Sequence, residues 1–179
     1  MSKKKHDVMK RYNETASKYD DRYKIIQEKK YREIFSMIDY DITDIILDVG
    51  SGTGLLLDYL SSSIENIICC DLSFNMLVEG KKRHSKANFI CADSDHLPFR
   101  DSSFNLTTCI SVIQNLPEPL QTIKESFRIL KRGGRFLLTA LDKIYSDKKL
   151  RDICVRAGYE INKLWHLSVE DFSVVAKKS

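Results

Sequence analysis

The stretch from Ile45 to Gly54 constrains the fold more than any other part of the chain. It opens with a short apolar run around one acid, Asp48, and such a run predicts a buried strand of a parallel sheet. Leu55 to Leu60 then predicts the first turns of a helix. A strand, a glycine turn and a helix form the first crossover of a nucleotide-binding α/β sheet. The turn itself holds three glycines at alternate positions: Gly50, Gly52 and Gly54.

The glycine spacing differs from that of two common phosphate-binding loops. Dinucleotide folds use G-x-G-x-x-G, whereas here the third glycine comes one residue early, and no lysine follows as in a P-loop. A second apolar run, Asn66 to Asp71, ends in an acid 21 positions after Gly50. An acid about 20 residues after the turn accepts hydrogen bonds from ribose hydroxyls. Asp71 therefore predicts an adenosine ligand without specifying the reaction.

With 179 residues and 42% hydrophobic content, the chain is expected to form one domain, residues 1–179, with a sizeable core. We expect residues 41–179 to form the Rossmann-like core and residues 1–40 to form a helical lid. No apolar run approaches the roughly 20 residues that span a bilayer, and the Lys-rich N-terminus lacks the apolar segment of a secretory signal. We therefore expect a cytoplasmic protein without a membrane segment.

The five cysteines are an odd number and include no C-x-x-C pair, which disfavours a zinc site. We predict no metal. Four cysteines lie in or next to apolar runs, so we expect them to be small core residues in a reducing cytoplasm: Cys69, Cys70, Cys91 and Cys109.

Positive charge is concentrated at the N-terminus. Residues 1–30 hold eight lysines and two arginines against five acids, whereas the other 149 residues, with 19 basic and 20 acidic side chains, balance to about −1. A solvated helix face explains this excess at least as well as a nucleic-acid patch does. We predict a frayed basic tail over residues 1–5, a weakly patterned helix over 7–20, and an amphipathic helix over 23–38 that covers the sheet.

Downstream apolar runs and turn residues predict the rest of the sheet and its helices. Ser73 is placed to cap a helix that runs to about His84. Proline opens the next helix at Pro117 and Pro119, and Gly133 stops it. A further helix is expected over residues 146–157. Strands are expected over five stretches, of which the last two form a hairpin: 88–93, 103–110, 135–141, 159–167 and 171–177.

Four motifs, in this order, resemble those of the class I methyltransferases that use S-adenosylmethionine. They are the glycine turn after Asp48, Asp71-Leu-Ser-Phe-Asn-Met-Leu77, Ala92-Asp-Ser-Asp-His-Leu-Pro-Phe99 and Ile129-Leu-Lys-Arg-Gly-Gly-Arg135. The chain departs from the family at Asn105, where Asp is common, and at Arg132, where Pro is common. The resemblance covers residues 12–177 and is to the small methyltransferase-domain type that includes quinone and tRNA-wobble enzymes.

This resemblance implies a Rossmann-like, doubly wound α/β fold. The sheet would have seven strands, mostly parallel with one antiparallel, and helices on both faces. The implied cofactor is S-adenosyl-L-methionine, with S-adenosyl-L-homocysteine as the product. Tyr19 would cover the cofactor as a lid residue, and Asp93 or its neighbour would recognise the adenine edge. The cofactor-binding residues of the family map onto Tyr19, Asp48, Gly50, Ser51, Gly52, Gly54, Asp71, Leu72, Asp93, Ser94 and Ile110.

On the acceptor side the sequence predicts positions and no catalytic group. Tyr12, Gln114 and Asn115 are the substrate-side candidates. Gln114 and Asn115 could orient a nucleophile by hydrogen bonds, or could simply cap the turn before Pro117. Holding the reactants in line supplies roughly 7–11 kcal/mol without a general base. Residues 110–115 stand where some family members carry Asn/Asp-Pro-Pro-Tyr, which disfavours methylation of adenine N6 and of glutamine amides.

The expected function is S-adenosylmethionine-dependent methyl transfer to an acceptor that the sequence does not identify. A short cover over the site favours RNA or protein, or a small zinc-binding activator that pairs with the predicted edge strand near Phe89–Cys91. A quinone or another small metabolite is an alternative acceptor, and a catalytically silent adenosyl-binding subunit is another reading. Tyr145 and Lys149 match the Y-x-x-x-K pair of short-chain dehydrogenases, but the glycine spacing disfavours an NAD enzyme.

Overall fold

The computed structural model of the chain describes residues 1–60 and 66–179. A single turn of 3-10 helix, Ala16–Lys18, joins the first two helices. The helices are α1 (Lys3–Thr15), α2 (Tyr19–Phe35), α3 (Leu55–Leu60), α4 (Phe74–Arg83), α5 (Pro119–Ile129) and α6 (Asp147–Arg156). The strands are β1 (Ile46–Val49), β2 (Ile67–Asp71), β3 (Asn88–Cys91), β4 (Phe104–Ile110), β5 (Leu130–Leu141), β6 (Glu160–His166) and β7 (Asp171–Lys177).

The seven strands form one sheet in the order β3-β2-β1-β4-β5-β7-β6. Every neighbouring pair from β3 to β5 is parallel. In contrast, β7 runs antiparallel to both β5 and β6. The predicted seven-stranded sheet with one antiparallel strand is therefore confirmed, and so is the closing hairpin.

Alternate residues of the sheet enter two separate cores. Leu47 and Val49 of β1 point to one face, which α5 and α6 cover with residues such as Ile123 and Leu150. Ile46 points to the opposite face, which α2 and α3 cover. A strand that is buried on both faces must be apolar at successive positions, which explains the continuous run in the sequence. Helices thus lie on both faces, as the doubly wound fold predicts.

The strand order reverses between β1 and β4, and this reversal defines the ligand edge of the sheet. β1 pairs in parallel with β2 on one side and with β4 on the other. The carboxyl ends of these strands, Val49, Asp71 and Ile110, therefore meet at one edge. In open α/β sheets, ligands bind in the crevice outside this edge.

The ring of Phe89 on the edge strand occupies a space that two glycines leave open. A Cβ added at Gly54, just before α3, would lie 3.2 Å from the ring. A Cβ added at Gly80 in α4 would lie 2.6 Å from the ring and 2.7 Å from the backbone oxygen of Thr53. The two glycines thus let α4, the ring and the glycine turn pack closely.

The N-terminus differs from its prediction. Residues 1–5 are no frayed tail, because α1 begins at Lys3 and the Ser2 side chain caps it by accepting a hydrogen bond from the Lys5 amide at 3.3 Å. The Lys5 side chain is buried. The prediction of a frayed tail is wrong because the Ser2 cap and the distant acidic partners of Lys5 stabilise the helix despite the run of positive charge.

Two further predictions need correction. The helix expected to run to Gly133 ends at Ile129, and β5 begins at once with Leu130. Gly133 instead adopts a φ of +78° inside a bend of that strand. Cys91 was expected in the core but is exposed, because β3 lies at the edge of the sheet; the other four cysteines are buried. None of the helices within residues 1–60 and 66–179 combines the length and apolar character needed to cross a membrane.

Candidate functional site

The glycine turn after β1 leaves room at the ligand edge. Gly50 has a φ of +72°, which glycine adopts readily and other residues rarely do. A Cβ there would lie 2.4 Å from Cγ2 of Val112, so a side chain would collide with the loop after β4. The amides of Gly50 and Ser51 both donate to the carbonyl of Cys70, at 2.7 and 3.0 Å. The turn is therefore held against the end of β2.

The Asp71 carboxylate at the end of β2 is oriented by the main chain. Its Oδ2 accepts from the Gly52 amide at 2.9 Å, and its Oδ1 accepts from the Ser73 amide at 2.8 Å. Burial raises the pKa of Asp71, and these amide bonds partly offset that rise. A carboxylate has about four acceptor positions, so lone pairs remain for the hydroxyls of a ribose.

A cavity lies against Asp71 and the glycine turn, and its volume is about 100 Å³. Ten of the predicted site residues line it: Tyr12, Tyr19, Gly50, Gly52, Asp71, Leu72, Asp93, Ser94, Ile110 and Asn115. The sequence motifs thus bring together residues from the N-terminal helices and from the ends of four strands. Apolar side chains that the sequence reasoning missed complete the wall: Val8, Met76, Val112 and Leu116.

Four predicted site residues lie outside the cavity wall: Asp48, Ser51, Gly54 and Gln114. Asp48 is buried beneath the turn, where its Oδ1 accepts from the Thr108 hydroxyl at 2.6 Å. Burial raises the pKa of Asp48 to about 7 despite that hydrogen bond. The Gln114 amide donates to the Ser111 carbonyl at 2.8 Å, which fits a structural role in the loop after β4.

Lys5 of α1 closes one side of the cavity, and no motif in the sequence predicted this position. Its Nζ pairs with the carboxylates of Asp93 and Asp95. Burial raises the pKa of Asp93, but the hydrogen bond from Lys5, the Asp95 amide and the Lys5 charge outweigh that effect and hold it below its ordinary value. The neighbouring Ser94 hydroxyl shares a hydrogen bond of 2.9 Å with the Thr122 hydroxyl.

Two tyrosines of the N-terminal helices stand over the glycine turn. The ring centroids of Tyr12 and Tyr19 are 6.1 Å apart in an edge-on arrangement. Burial raises the pKa of both phenols, so both stay neutral at physiological pH. The Asn115 amide donates to the Tyr12 hydroxyl at 3.4 Å, and both side chains line the cavity.

Behind the mouth, a second lysine of the N-terminal helices is buried. Lys30 of α2 pairs with Asp171 at 2.7 Å and donates to the Ser111 hydroxyl at 2.8 Å. Ser111 lines the cavity and has a φ of +59°. These three residues come from α2, from the loop after β4 and from β7, so no local pattern in the sequence could have joined them.

No histidine lines the cavity within the described residues. His84 contacts Asp58 at 2.6 Å, and His166 contacts Asp142 at 2.8 Å. Over residues 1–60 and 66–179 no cluster of His, Cys, Asp and Glu is arranged to hold a metal ion. The site therefore offers an adenosine cradle with neutral aromatic and amide groups at its mouth.

Comparison with known proteins agrees with this geometry. A family model described as a methyltransferase domain matches residues 47–138, just over half of the chain. A demethylmenaquinone methyltransferase of Paenarthrobacter aurescens is 30% identical over 142 residues, covering 77% of this chain and 56% of that protein. A malonyl-[acyl-carrier protein] O-methyltransferase of Marinomonas sp. is 31% identical over 144 residues, covering 78% and 53%. The chain thus spans about half the length of the curated relatives it matches.

Solved structures share the fold over nearly the whole chain. A chain of the complex between the Haloferax volcanii Trm112 methyltransferase activator and a methyltransferase gives a TM-score of 0.84 at 17% identity, covering 93% of this chain and 96% of that one. A SAM-dependent methyltransferase of Aquifex aeolicus gives 0.80 at 18% identity, covering 93% and 98%. With the family model and the alternate-glycine turn, these findings show that the chain belongs to the methyltransferase-domain family of class I, S-adenosylmethionine-dependent enzymes.

Proposed function

We propose that this chain transfers a methyl group from S-adenosylmethionine to an acceptor held at the mouth of the cavity. The observation that carries the proposal is the Asp71 carboxylate, which two backbone amides orient beside a glycine turn with space for a ligand. This donor and acceptor set fits an adenosyl group. Membership of the family supports methyl transfer as the reaction of that group.

S-adenosylmethionine supplies a methyl group on a positively charged sulfur. The residues of this chain would bind and orient the two reactants. Asp71 would accept from the ribose hydroxyls, while Gly50 and Gly52 leave the backbone open to close approach. The ring of Tyr19 would favour a nearby positive charge by roughly 0.5–2 kcal/mol. Asn115 would orient the acceptor. Holding the acceptor and the methyl group in line would then accelerate the transfer.

Opening of α1 is part of the proposal. Ligand cavities for molecules of this size hold about 300–1,000 Å³, whereas the cavity here measures about 100 Å³ with α1 in place. Lys5, Val8 and Tyr12 of α1 line it. We therefore assign α1 as the lid: it moves outward when the cofactor enters and closes again over it.

Two acceptor classes are supported by different observations. The named relatives act on a quinone precursor and on a malonyl group carried by a protein, which favours a small acceptor. A macromolecule, RNA or protein, is favoured by the short cover over the site. Only residues 142–146 separate β5 from α6, so no insertion follows β5 to enclose a small substrate.

A small zinc-binding activator is proposed as a partner at the β3 edge. In the part of the chain that the structure describes, β3 pairs with β2 and with no second strand, and an edge strand can accept a further strand. The Ala92 amide donates to Asp71, so by alternation the Cys91 amide points outward. The fold neighbour from Haloferax volcanii was solved with the Trm112 activator, which supports this kind of assembly for a chain of similar shape.

Calorimetry tests cofactor binding first, and a methyl-transfer assay then tests the reaction. We expect S-adenosylmethionine and S-adenosylhomocysteine to bind and NAD not to bind. NAD binding at micromolar affinity without either adenosyl compound would overturn the proposal. Transfer of a labelled methyl group to RNA, protein or quinone pools from the source cells separates an enzyme from a silent adenosyl-binding subunit, which would bind the cofactor and label none of them.

The partner is tested at Cys91. Cys91→Pro removes an outward amide of the edge strand, whereas Cys91→Ala keeps it. With a purified Trm112-type activator, we expect the proline variant to lose the complex and the alanine variant to retain it, with S-adenosylhomocysteine affinity unchanged in both. Equal complex formation by the two variants would argue against pairing at β3.

A further inference from the structure

A second cleft opens beside the cofactor cavity, on the outer side of the N-terminal helices. It measures about 250 Å³ and is lined by Arg11, Tyr12, Thr15, Tyr19, Arg22 and Tyr23. Tyr12 and Tyr19 also line the cofactor cavity, so the two spaces meet at these two rings. A ligand in the cleft would therefore approach the cavity from its mouth.

Three tyrosine rings follow one another along the cleft, with Tyr12 edge-on to Tyr19 and Tyr19 tilted by 42° from Tyr23. The centroids of Tyr12 and Tyr19 are 6.1 Å apart, and those of Tyr19 and Tyr23 are 4.8 Å apart. Tyr23 is 44% exposed, although its neighbours Tyr12 and Tyr19 are largely covered. A row of rings with one open end suits a planar group that stacks on it.

Two guanidinium groups flank the rings, and among residues 1–60 and 66–179 no carboxylate lines the cleft. Arg11 stands 5.1 Å from the centroid of Tyr12 and donates to the amide oxygen of Asn115. Glu14 lies 3.9 Å from Lys10 and Asp20 pairs with Arg83, while the exposed Asp21, next to Arg22 in the sequence, lies outside the cleft lining. The flanks of the cleft therefore favour an anionic ligand.

The positive charge continues along α1. A neighbouring depression is lined by Lys3, Lys4, Asp7, Val8 and Arg11, and it shares Arg11 with the cleft. From Lys3 to Arg11 the helix rises about 12 Å, whereas a duplex strand carries one phosphate per about 3.4 Å. The basic strip therefore extends beyond a single nucleotide.

From these observations we infer that the cleft binds a nucleotide of a single nucleic-acid strand, as the acceptor or next to it. The base stacks on the exposed ring of Tyr23 and contacts the edge of Tyr19, Arg11 and Arg22 hold its phosphates, and Lys3 and Lys4 hold the phosphates that follow. This inference rests on the proposed function and narrows its macromolecular acceptor to nucleic acid. A protein acceptor and a quinone then become outcomes of the test.

The test measures binding of a short, labelled, mixed-sequence oligoribonucleotide to the full chain with saturating S-adenosylhomocysteine. We expect Arg22→Gln to weaken binding and to reduce the slope of log affinity against log salt by about 1. Tyr23→Ala removes one stacking ring and should weaken binding about five- to a hundredfold. Lys24→Gln is the matched control, since it removes the same charge from an exposed position of α2 outside the cleft and should change affinity less than Arg22→Gln does.

The possible results separate this inference from the proposed function. Absence of S-adenosylhomocysteine binding would overturn the proposed function itself. If the cofactor product binds but Arg22→Gln and Lys24→Gln have equal effects, the cleft is not the strand site. Binding of a mononucleotide as tight as that of the oligonucleotide would overturn a strand as ligand. Equal binding of a polyglutamate peptide, or binding of a quinone that Tyr23→Ala abolishes, would also overturn the inference.

Discussion

Two lysines of the N-terminal helices reach the sheet, and their ion pairs differ in depth. Lys30 of α2 meets Asp171 with both side chains at most 4% exposed. Lys5 of α1 is equally buried, but its partners Asp93 and Asp95 are 26% and 15% exposed. When a lysine leaves, the outer acids can be hydrated, whereas the inner acid cannot. The inner pair therefore fixes α2 on the sheet, and the outer pair can open with α1.

The largest effect is expected at the inner pair. Lys30→Met removes the cation beside the buried Asp171 carboxylate, to which the Ser111 hydroxyl still donates at 3.3 Å. It also removes a donor to Ser111, so the free energy of unfolding should fall by about 3–5 kcal/mol. Urea unfolding measures it. Lys29→Met, at the exposed neighbouring position, is the matched control and should change stability by less than about 0.5 kcal/mol. Equal losses in the two variants would mean that the inner pair is no anchor.

The next effect concerns Asp71, which the main chain orients independently of α1. Asp71→Ala removes the acceptor of two charge-assisted bonds, each worth about 1.5–3 kcal/mol, so affinity for S-adenosylhomocysteine should fall at least about a hundredfold in calorimetry. In a Lys5→Met background, Asp71→Ala should lower the affinity by the same factor, because the free-energy effects of substitutions at independent sites add. A change below threefold would show that Asp71 is a solvated strand end.

Loss of the outer ion pair should have a smaller effect on ligand binding than loss of Asp71. Lys5→Met removes the ion pairs between α1 and the loop after β3, so association of S-adenosylhomocysteine should become a few-fold faster in stopped-flow measurements. Stability should fall by less than about 1–2 kcal/mol, since the freed acids can take up water. Lys10→Met, on the exposed face of the same helix, should leave the association rate unchanged. A slower rate in Lys5→Met would contradict the lid.

The smallest effect is in the titration of Asp93. The pKa of Asp93 in the folded protein lies below its ordinary value because of Lys5. The ionised Asp93 therefore stabilises the fold above about pH 3.9, the ordinary pKa of an aspartate. This stabilisation is lost as the pH falls through the lower pKa of the folded protein. Lys5→Met removes the bond and charge that lower the pKa and leaves burial, which raises it. Carboxyl NMR should therefore show the Asp93 pKa moving upward, and an unchanged pKa would exclude the outer pair as its cause.

The separation along the chain between contacting residues explains how much of the site the sequence could predict. The glycine turn and Asp71 depend on contacts within one strand-turn-helix unit and its neighbouring strand, so their spacing along the chain carries the information. Phe89–Cys91 was placed at an edge because strand order in this fold follows from the motifs. The structure confirms that placement, although it exposes Cys91.

The two lysines could not be predicted in this way. Lys5 and Asp93 are 88 positions apart, and Lys30 and Asp171 lie at opposite ends of the chain. Within residues 1–5, composition indicated a solvated tail, whereas the Ser2 cap was a local signal that could have predicted the helix start. The three tyrosines were visible in the sequence, but their alignment with Arg11 and Arg22 depends on the turn at Ala16–Lys18 between α1 and α2.

The ring of Phe89 has a consequence for how this sequence can change over time. Gly54, Gly80 and Phe89 belong to three different elements, yet a Cβ at either glycine would meet the same ring. A smaller residue at position 89 would open space beside position 54, but Gly54 has a φ of +76°, so an alanine there would remain strained. At position 80 the Thr53 backbone oxygen, 2.7 Å from the added atom, would still exclude it. A smaller residue at position 89 would therefore free neither glycine, because position 54 is held by its backbone conformation and position 80 can vary only if the glycine turn itself moves.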